Sequence, residues 1–315
     1  MKKLAVIAFG GNALLKGDQK GTIDEQEQNV FDTCSEVYHL IEQGYNLVIG
    51  HGNGPQVGNV LLQHEGGFKV FGVPKMPIDF CVAETQGSIG YMIEQQMENK
   101  LLQEGVERDI LTIITEVIVD KEDEAFNNPT KPIGPFYTKE DADKLAEENQ
   151  WVFTKDPRDR GYRRVVASPK PIAINNVKSI EQLARSGAIV ITVGGGGIPA
   201  FFVNEKKLQG IDAVIDKDLA SSLLATKIGA DEFFILTDVP KVSINFNTPQ
   251  QQDLNIITID EAMQYLEEGH FAEGSMAPKV RAAIAFVKNG GKETIITEAA
   301  QLKNRSAGTR IVANK

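Results

Sequence analysis

LAVIAFGGN (4–12) sets six apolar residues against two glycines and an asparagine. The basic MKK before it imitates a signal peptide. Six apolar residues are too few for one, and glycines stand where a small-residue cleavage site belongs. The run reads as a first strand with a glycine exit turn. NLVIG (46–50) repeats the pattern with HGNGPQVG (51–58) behind it, and AIVITV (188–193) does so with GGGG (194–197). EFFIL (232–236) and ETIIT (293–297) are further short strands, and DILTIITEVIV (109–119) reads as one more. Helical stretches lie between them. In VFDTCSEVYHLIEQG (30–44), Val30, Val37, Leu40 and Ile41 recur at helical spacing and Gly44 stops the run. Others fall near 81–104, 178–186, 217–228, 259–267 and 276–289. Strand, turn and helix in alternation predict an α/β fold: a mainly parallel sheet with helices on both faces.

The alternation breaks between about 120 and 168. This stretch is polar and rich in proline and charge, with EDADKLAEEN (140–149) as a helix candidate and RRVVA (163–167) as a strand candidate. A structureless loop of that length inside a compact domain is improbable, so an inserted, protruding subdomain is expected. Its composition suggests few core contacts and a lid that closes.

The 315 residues suffice for one large α/β domain, at 42% hydrophobic and 24% charged. A formal charge of −10 argues against nucleic acid or an anionic membrane as partner. No apolar run approaches the roughly 20 residues that cross a bilayer. Cys34 and Cys81 form no CxxC pattern and suit core positions in a reducing cytoplasm.

Three strands end in glycine turns: Gly10-Gly11-Asn12, Gly52-Asn53-Gly54 and Gly194 to Gly197. In open parallel sheets ligands collect at the carboxyl ends of strands, and glycine lets amide groups approach an anion. One such turn usually serves chain reversal; three on core strands point to an anion cradle. The P-loop, dinucleotide and protein-kinase signatures are absent, as are metal-binding His and Cys patterns. Lys131 stands in NPTKPIGPF near Pro129 and Pro132, and Lys279 in GSMAPKV follows Pro278. That stiffness suits an aimed cation. In VIDKDLAS (214–221), Lys217 stands between Asp216 and Asp218 where an apolar run becomes a helix.

These stretches, with AFGGNAL, TQGSIGY, GYRRVVASPKP and GHFAEGSMAPKV, resemble the carbamate kinases of the amino acid kinase family nearly end to end. HGNGPQVG and NPTKPIGPF are the specific ones; TDVPKV and the GSM-x-PK stretch are shared with acetylglutamate kinase and aspartokinase relatives. The resemblance implies an open αβα sandwich in one domain. Its N-terminal half would hold the acceptor and its C-terminal half, from about 206, the nucleotide. It implies that carbamate lies against Gly10, Gly11, Asn12, Gly52, Asn53 and Gly54, with Gly195 and Gly196 nearby. Lys131, Lys217 and Lys279 would surround the transferring phosphoryl group, with Asp218 organising the lysines. Thr237, Asp238, Gly274, Ser275 and Met276 would lie along the nucleotide. Asp216 either assists or only favours the helix start through its dipole. Mg²⁺ accompanying ATP or ADP, a homodimer and net ATP synthesis in fermentative nitrogen catabolism are implied as well. The chain departs from the family at DPRDRGY (156–162) and at Pro240.

The carbamate oxygen is already deprotonated, so the reaction needs charge stabilisation and positioning rather than a general base. His51 then reads as a loop-shaping residue, and His39, His64 and His270 take no role. The alternatives are a related kinase for another small carbamate or carboxylate, and a non-catalytic sensor of carbamoyl phosphate or nucleotide.

Overall fold

The computed structural model describes residues 2–17, 19–156, 159–304 and 306–314. Pro157 and Arg158 of the departing DPRDRGY stretch lie outside them, as does the side chain of Asn12. An eight-stranded sheet runs through the molecule. In chain order its strands are β1 (Leu4–Phe9), β2 (Asn46–His51), β3 (Ile110–Thr112) and β4 (Ile189–Ile191), then β5 (Glu232–Leu236), β6 (Ile256–Thr258), β7 (Glu293–Thr297) and β8 (Thr309–Val312). They lie side by side as β6-β8-β7-β5-β1-β2-β4-β3. Every neighbour pair is parallel except β7 with β8.

β1 is central, and all six of its residues are buried. Successive side chains point to opposite faces, so one uninterrupted apolar run supplies two cores. Leu4, Val6 and Ala8 join one cluster, together with α5 (Val177–Ser186), α6 (Lys217–Lys227) and α8 (Met276–Lys288). Ala5, Ile7 and Phe9 join the other, built from α1 (Ile23–Glu42) and α3 (Ile78–Glu104); the remaining α-helices of the described residues are α2 (Gly54–Phe71), α4 (Lys139–Asn149) and α7 (Ile259–Glu267). The mainly parallel, doubly covered sheet is therefore the one expected. α1 begins earlier than its apolar spacing suggested, because Thr22 and Glu25 form a reciprocal capping box.

The run 109–119 differs from the single strand expected. β3 pairs with β4, whereas Glu116–Ile118 pairs with Ile198–Ala200 in a separate four-stranded sheet. The break is held by Gln86 of α3, which accepts from the Thr115 amide (2.8 Å) and donates to the Thr115 carbonyl (3.1 Å). A buried side-chain amide thus takes the Thr115 amide hydrogen and shares the Thr115 carbonyl with the Ile198 amide (2.9 Å) of the second sheet.

Within 120–168, Lys131–Tyr137, Tyr162–Val166 and Val152–Lys155 form a small antiparallel sheet. Helix Lys139–Asn149 accompanies it, close to the stretch read as helical. Its root is better anchored than its polar composition suggests. Ile133 and Val166 are buried in a cluster with Val57 and Leu61 of the helix Gly54–Phe71 and with Cys81 and Val82 of α3. A β-carbon on Gly58 would stand 1.9 Å from the Gly134 α-carbon, so the helix and the root meet backbone to backbone. Gly58→Ala should therefore cost about 1–3 kcal/mol, the usual cost of overpacking a close-fitting site. Urea unfolding measures it, and wild-type stability in this variant would show that the contact can yield freely.

Candidate active site

Four strands of the sheet deliver their carboxyl ends to one rim: β1 to Gly10, β2 to Gly52, β4 to Gly194 and β5 to Thr237. The second and third turns are in contact. A β-carbon on Gly195 would lie 2.2 Å from the Asn53 amide nitrogen, and one on Gly196 would lie 2.2 Å from the Ile215 carbonyl oxygen. Gly195 and Gly196 also have φ of 65° and 90°, where other residues are strained. The glycines of this turn are thus demanded twice, by conformation and by close approach. Val193 enters the turn at φ 46°, an outlier for a β-branched residue, and is fully buried.

Behind the turns is a layer of buried polar groups. Asn53 donates to the Thr85 hydroxyl (2.9 Å), and Gln86 donates to the Gly194 carbonyl (3.0 Å). His51 is 1% exposed, its Nδ1 lies 2.9 Å from the Gly52 carbonyl, and burial pulls its pKa down to about 4. It is neutral at working pH and packs on Gly194, which agrees with a loop-shaping part. Thr85 and Gln86 have no signal in the sequence beyond their place in TQGSIGY. Only the packing of α3 under the turns singles them out.

Gly52 faces Lys217; a β-carbon there would stand 3.3 Å from its Cδ. Lys217 opens α6, and its Nζ donates to Asp218 Oδ1 at 2.5 Å. Lys279, in the first turn of α8, donates to Asp218 Oδ2 at 2.9 Å. α6 and α8 lie side by side, with the Ser222 hydroxyl donating to the Ala282 carbonyl at 2.7 Å. That packing brings two cations from helices 60 residues apart in sequence onto one carboxylate that is 3% exposed. Burial lowers Lys217 to about 8 against the pull of Asp218, with Lys279 pushing the same way as burial. Burial disfavours the Asp218 carboxylate too, yet the two ammonium groups hold its pKa below the ordinary value. Lys279 is raised, because Asp218 outweighs the burial that opposes it.

Lys131 reaches in from the small antiparallel sheet and donates to Asp216 Oδ2 at 2.7 Å. Asp216 also caps α6, with Oδ1 accepting from the amides of Asp218 (2.9 Å) and Leu219 (3.2 Å). Asp216 thus both caps the start of α6 and pairs with Lys131. Burial opposes its charge, but Lys131 first and then Lys217 drive its pKa far below the ordinary range.

A cavity of about 410 Å³ next to this cluster is lined by Gly10, Gly11, Thr237, Asp238 and Lys279, among others. Thr237 is half-buried and Asp238 exposed; Gly274 and Ser275 are exposed and Met276 half-buried at the entrance of α8. Among the described residues, no three carboxylates, imidazoles or thiols converge as a metal cage. Chemically the rim can hold a small anion against backbone turns and place three ammonium groups around a second, larger one.

Residues 3–298 match the model of the amino acid kinase family. The carbamate kinase of Pyrococcus horikoshii is 47% identical over 314 residues, covering 99% of each chain. Carbamate kinase from Giardia lamblia bound to citric acid superposes with a TM-score of 0.93 at 42% identity, covering 99% of each chain. The same enzyme bound to AMP-PNP gives a TM-score of 0.90, again at 42% identity and with 99% of each chain covered.

Removing the shared carboxylate should expose how much it stabilises. Asp218→Asn leaves two buried ammonium groups without their partner, and breaking such a pair typically costs about 3–5 kcal/mol near neutral pH. In that variant burial of the two ammonium groups is no longer offset by Asp218, so both pKa values should fall and the unfolded chain should bind more protons in the alkaline range. Stability lost near neutral pH should then be partly regained towards about pH 10. Urea unfolding at the two pH values tests this; a loss that does not shrink with rising pH contradicts it.

Proposed function

We propose, for a chain that belongs to the amino acid kinase family, that it is a carbamate kinase: ATP + carbamate ⇌ ADP + carbamoyl phosphate. One observation carries the reading. Lys217 and Lys279 share the buried Asp218, Gly52 of a glycine turn faces Lys217, and Lys131 is held by the neighbouring Asp216. Phosphoryl transfer asks for this arrangement, since two anions must be brought together and charge on the moving group neutralised.

In this reading carbamate rests on Gly10, Gly11, Asn12, Gly52, Asn53 and Gly54, with Gly195 and Gly196 beside it. The turns offer backbone groups in place of water, and their packing on Asn53, Thr85 and Gln86 leaves them little freedom to adapt to a larger acceptor. Lys217 and Lys279 neutralise oxygens of the transferring phosphoryl, held by Asp218, and Lys131 completes the ring. Thr237, Asp238, Gly274, Ser275 and Met276 line the nucleotide in this reading, and for Thr237 and Asp238 the cavity next to Lys279, which they line, supports it. Magnesium would supply charge neutralisation on the nucleotide phosphates. With no protein cage among the described residues, the fit is to an ion carried by phosphate oxygens and water.

The 120–168 segment is proposed to act as a lid over the site, its outer part moving while its anchored root holds Lys131 in place. Its support is that Lys131, of all the aimed lysines, is the one supplied by the small sheet rather than by the helices α6 and α8. A cytoplasmic site of action accords with Cys34 and Cys81, both free and buried. No helix among the described residues is long and apolar enough to cross a membrane. A homodimer and net ATP synthesis belong to the same reading; sedimentation tests the first.

The defining test is a coupled assay of ATP formation from ADP and carbamoyl phosphate, which should show turnover. Acetylglutamate and aspartate should not be phosphorylated at comparable rates. Lys217→Met should fold normally by circular dichroism and lose about 10²–10³ in kcat, the usual cost of one preorganised electrostatic donor. Near-normal turnover in that variant would remove Lys217 from the mechanism.

The wild-type pH profile has a defined sign. Lys217 is a cation below about pH 8 and loses its proton as pH rises through that value. kcat/KM for carbamoyl phosphate, which reports the free enzyme, should therefore be level below about pH 8 and fall above it. Asp218 stays ionised throughout, because its pKa is depressed. A profile that stays flat well into the alkaline range would mean that the charge of Lys217 is not used.

A further inference from the structure

We infer that Asp216 is a positioning residue for the phosphoryl transfer, aiming Lys131 at the site through one oxygen while the other caps α6. The inference rests on the kinase reading above.

The two oxygens divide the work. Oδ1 accepts from the amides of Asp218 and Leu219, at 2.9 and 3.2 Å, and Oδ2 accepts from Lys131 at 2.7 Å. The first pair of bonds fixes the carboxylate plane relative to the helix, so the second oxygen points in a direction set by α6. The residue's backbone is fixed as well: its carbonyl accepts from the Ala220 amide at 3.0 Å, and the preceding Ile215 carbonyl is pressed against Gly196. A lysine side chain with four rotatable bonds is otherwise a poor pointing device, since holding it still costs rotamer entropy. Here its free end is tied to the rigid body while its backbone belongs to the small sheet.

Charge order gives a second argument. Read across the site, Lys131, Asp216, Lys217, Asp218 and Lys279 alternate in sign, and each carboxylate contacts a lysine that the chain alone would not place beside it. Without Asp216, Lys131 and Lys217 would face one another as unscreened cations in a half-buried site, and Lys131 would swing outward. A cap residue of any kind would start α6. Only an ionised carboxylate also holds Lys131.

Asparagine separates the two tasks. In Asp216→Asn the side-chain carbonyl keeps the capping bonds, whereas the amide group that replaces Oδ2 cannot accept from an ammonium. Asp216→Ala loses both. The melting temperature of Asp216→Asn should stay close to that of wild type, and that of Asp216→Ala should fall. In the coupled assay Asp216→Asn should lower kcat by about tenfold or more with KM for ADP within about twofold, as expected for a misplaced transition-state cation. The decisive measurement is the cycle with Lys131→Ala. If Asp216 acts through Lys131, Asp216→Asn adds no further loss in the Lys131→Ala background.

Full kcat in Asp216→Asn overturns the inference, and so does an added loss of similar size in the double variant. The failure of the kinase reading is separate. It would show as absent turnover in the wild type, whereas failure of the Asp216 role shows as an active wild type matched by Asp216→Asn.

Discussion

Asp218 is the contact on which the rest of the site depends. One carboxylate, 3% exposed, accepts from Lys217 on its own helix and Lys279 on another. Two ammonium groups brought this close would repel, and neither would tolerate burial alone. Between them the carboxylate makes the pair possible, and the trio keeps a net positive charge. The packing of α6 on α8 follows from the same requirement. Ser222 of α6 bonds across to the Ala282 carbonyl of α8.

The glycine turns meet a different constraint, that of space. Gly52 must leave room for Lys217, Gly195 for Asn53 and Gly196 for the Ile215 carbonyl. A turn so crowded cannot rearrange when a ligand arrives, and polar groups already bonded to Thr85 and Gln86 need no reorganisation. Such fixed dipoles are the kind that stabilise charge developing during a reaction. The strained Val193 fits the same picture, a local cost borne where the surroundings leave no alternative.

The small antiparallel sheet sits between these two demands. Its root is locked to the body through Gly58 and Gly134 and through the apolar contacts of Ile133 and Val166. Its strand Val152–Lys155 is largely exposed. Local stability therefore falls from root to tip. Lys131 lies at the anchored end, next to the body and paired with Asp216, where small movements of the outer part are felt least.

The sequence by itself determined the parallel sheet and most of its order of elements, because a strand buried on both faces must be almost wholly apolar, as LAVIAF is and as EFFIL is after Glu232. It also marked the glycine turns and the aimed lysines, since glycine and proline restrict the backbone locally and leave a local trace. It did not reveal that 109–119 is broken at Thr115: the apolar run continues, and what interrupts it is the side chain of Gln86 from another helix. The parts of Thr85 and Gln86, the second duty of Asp216 and the firm root of the insert were likewise decided by tertiary structure. Each depends on a partner far away in the chain, Gly194 for Gln86, Lys131 for Asp216 and Gly58 for Gly134. Periodicity and composition report what a residue does to its own segment. Which carboxylate meets which cation is settled only when helices and strands pack, because a buried charge is stable only beside the partner that packing brings to it.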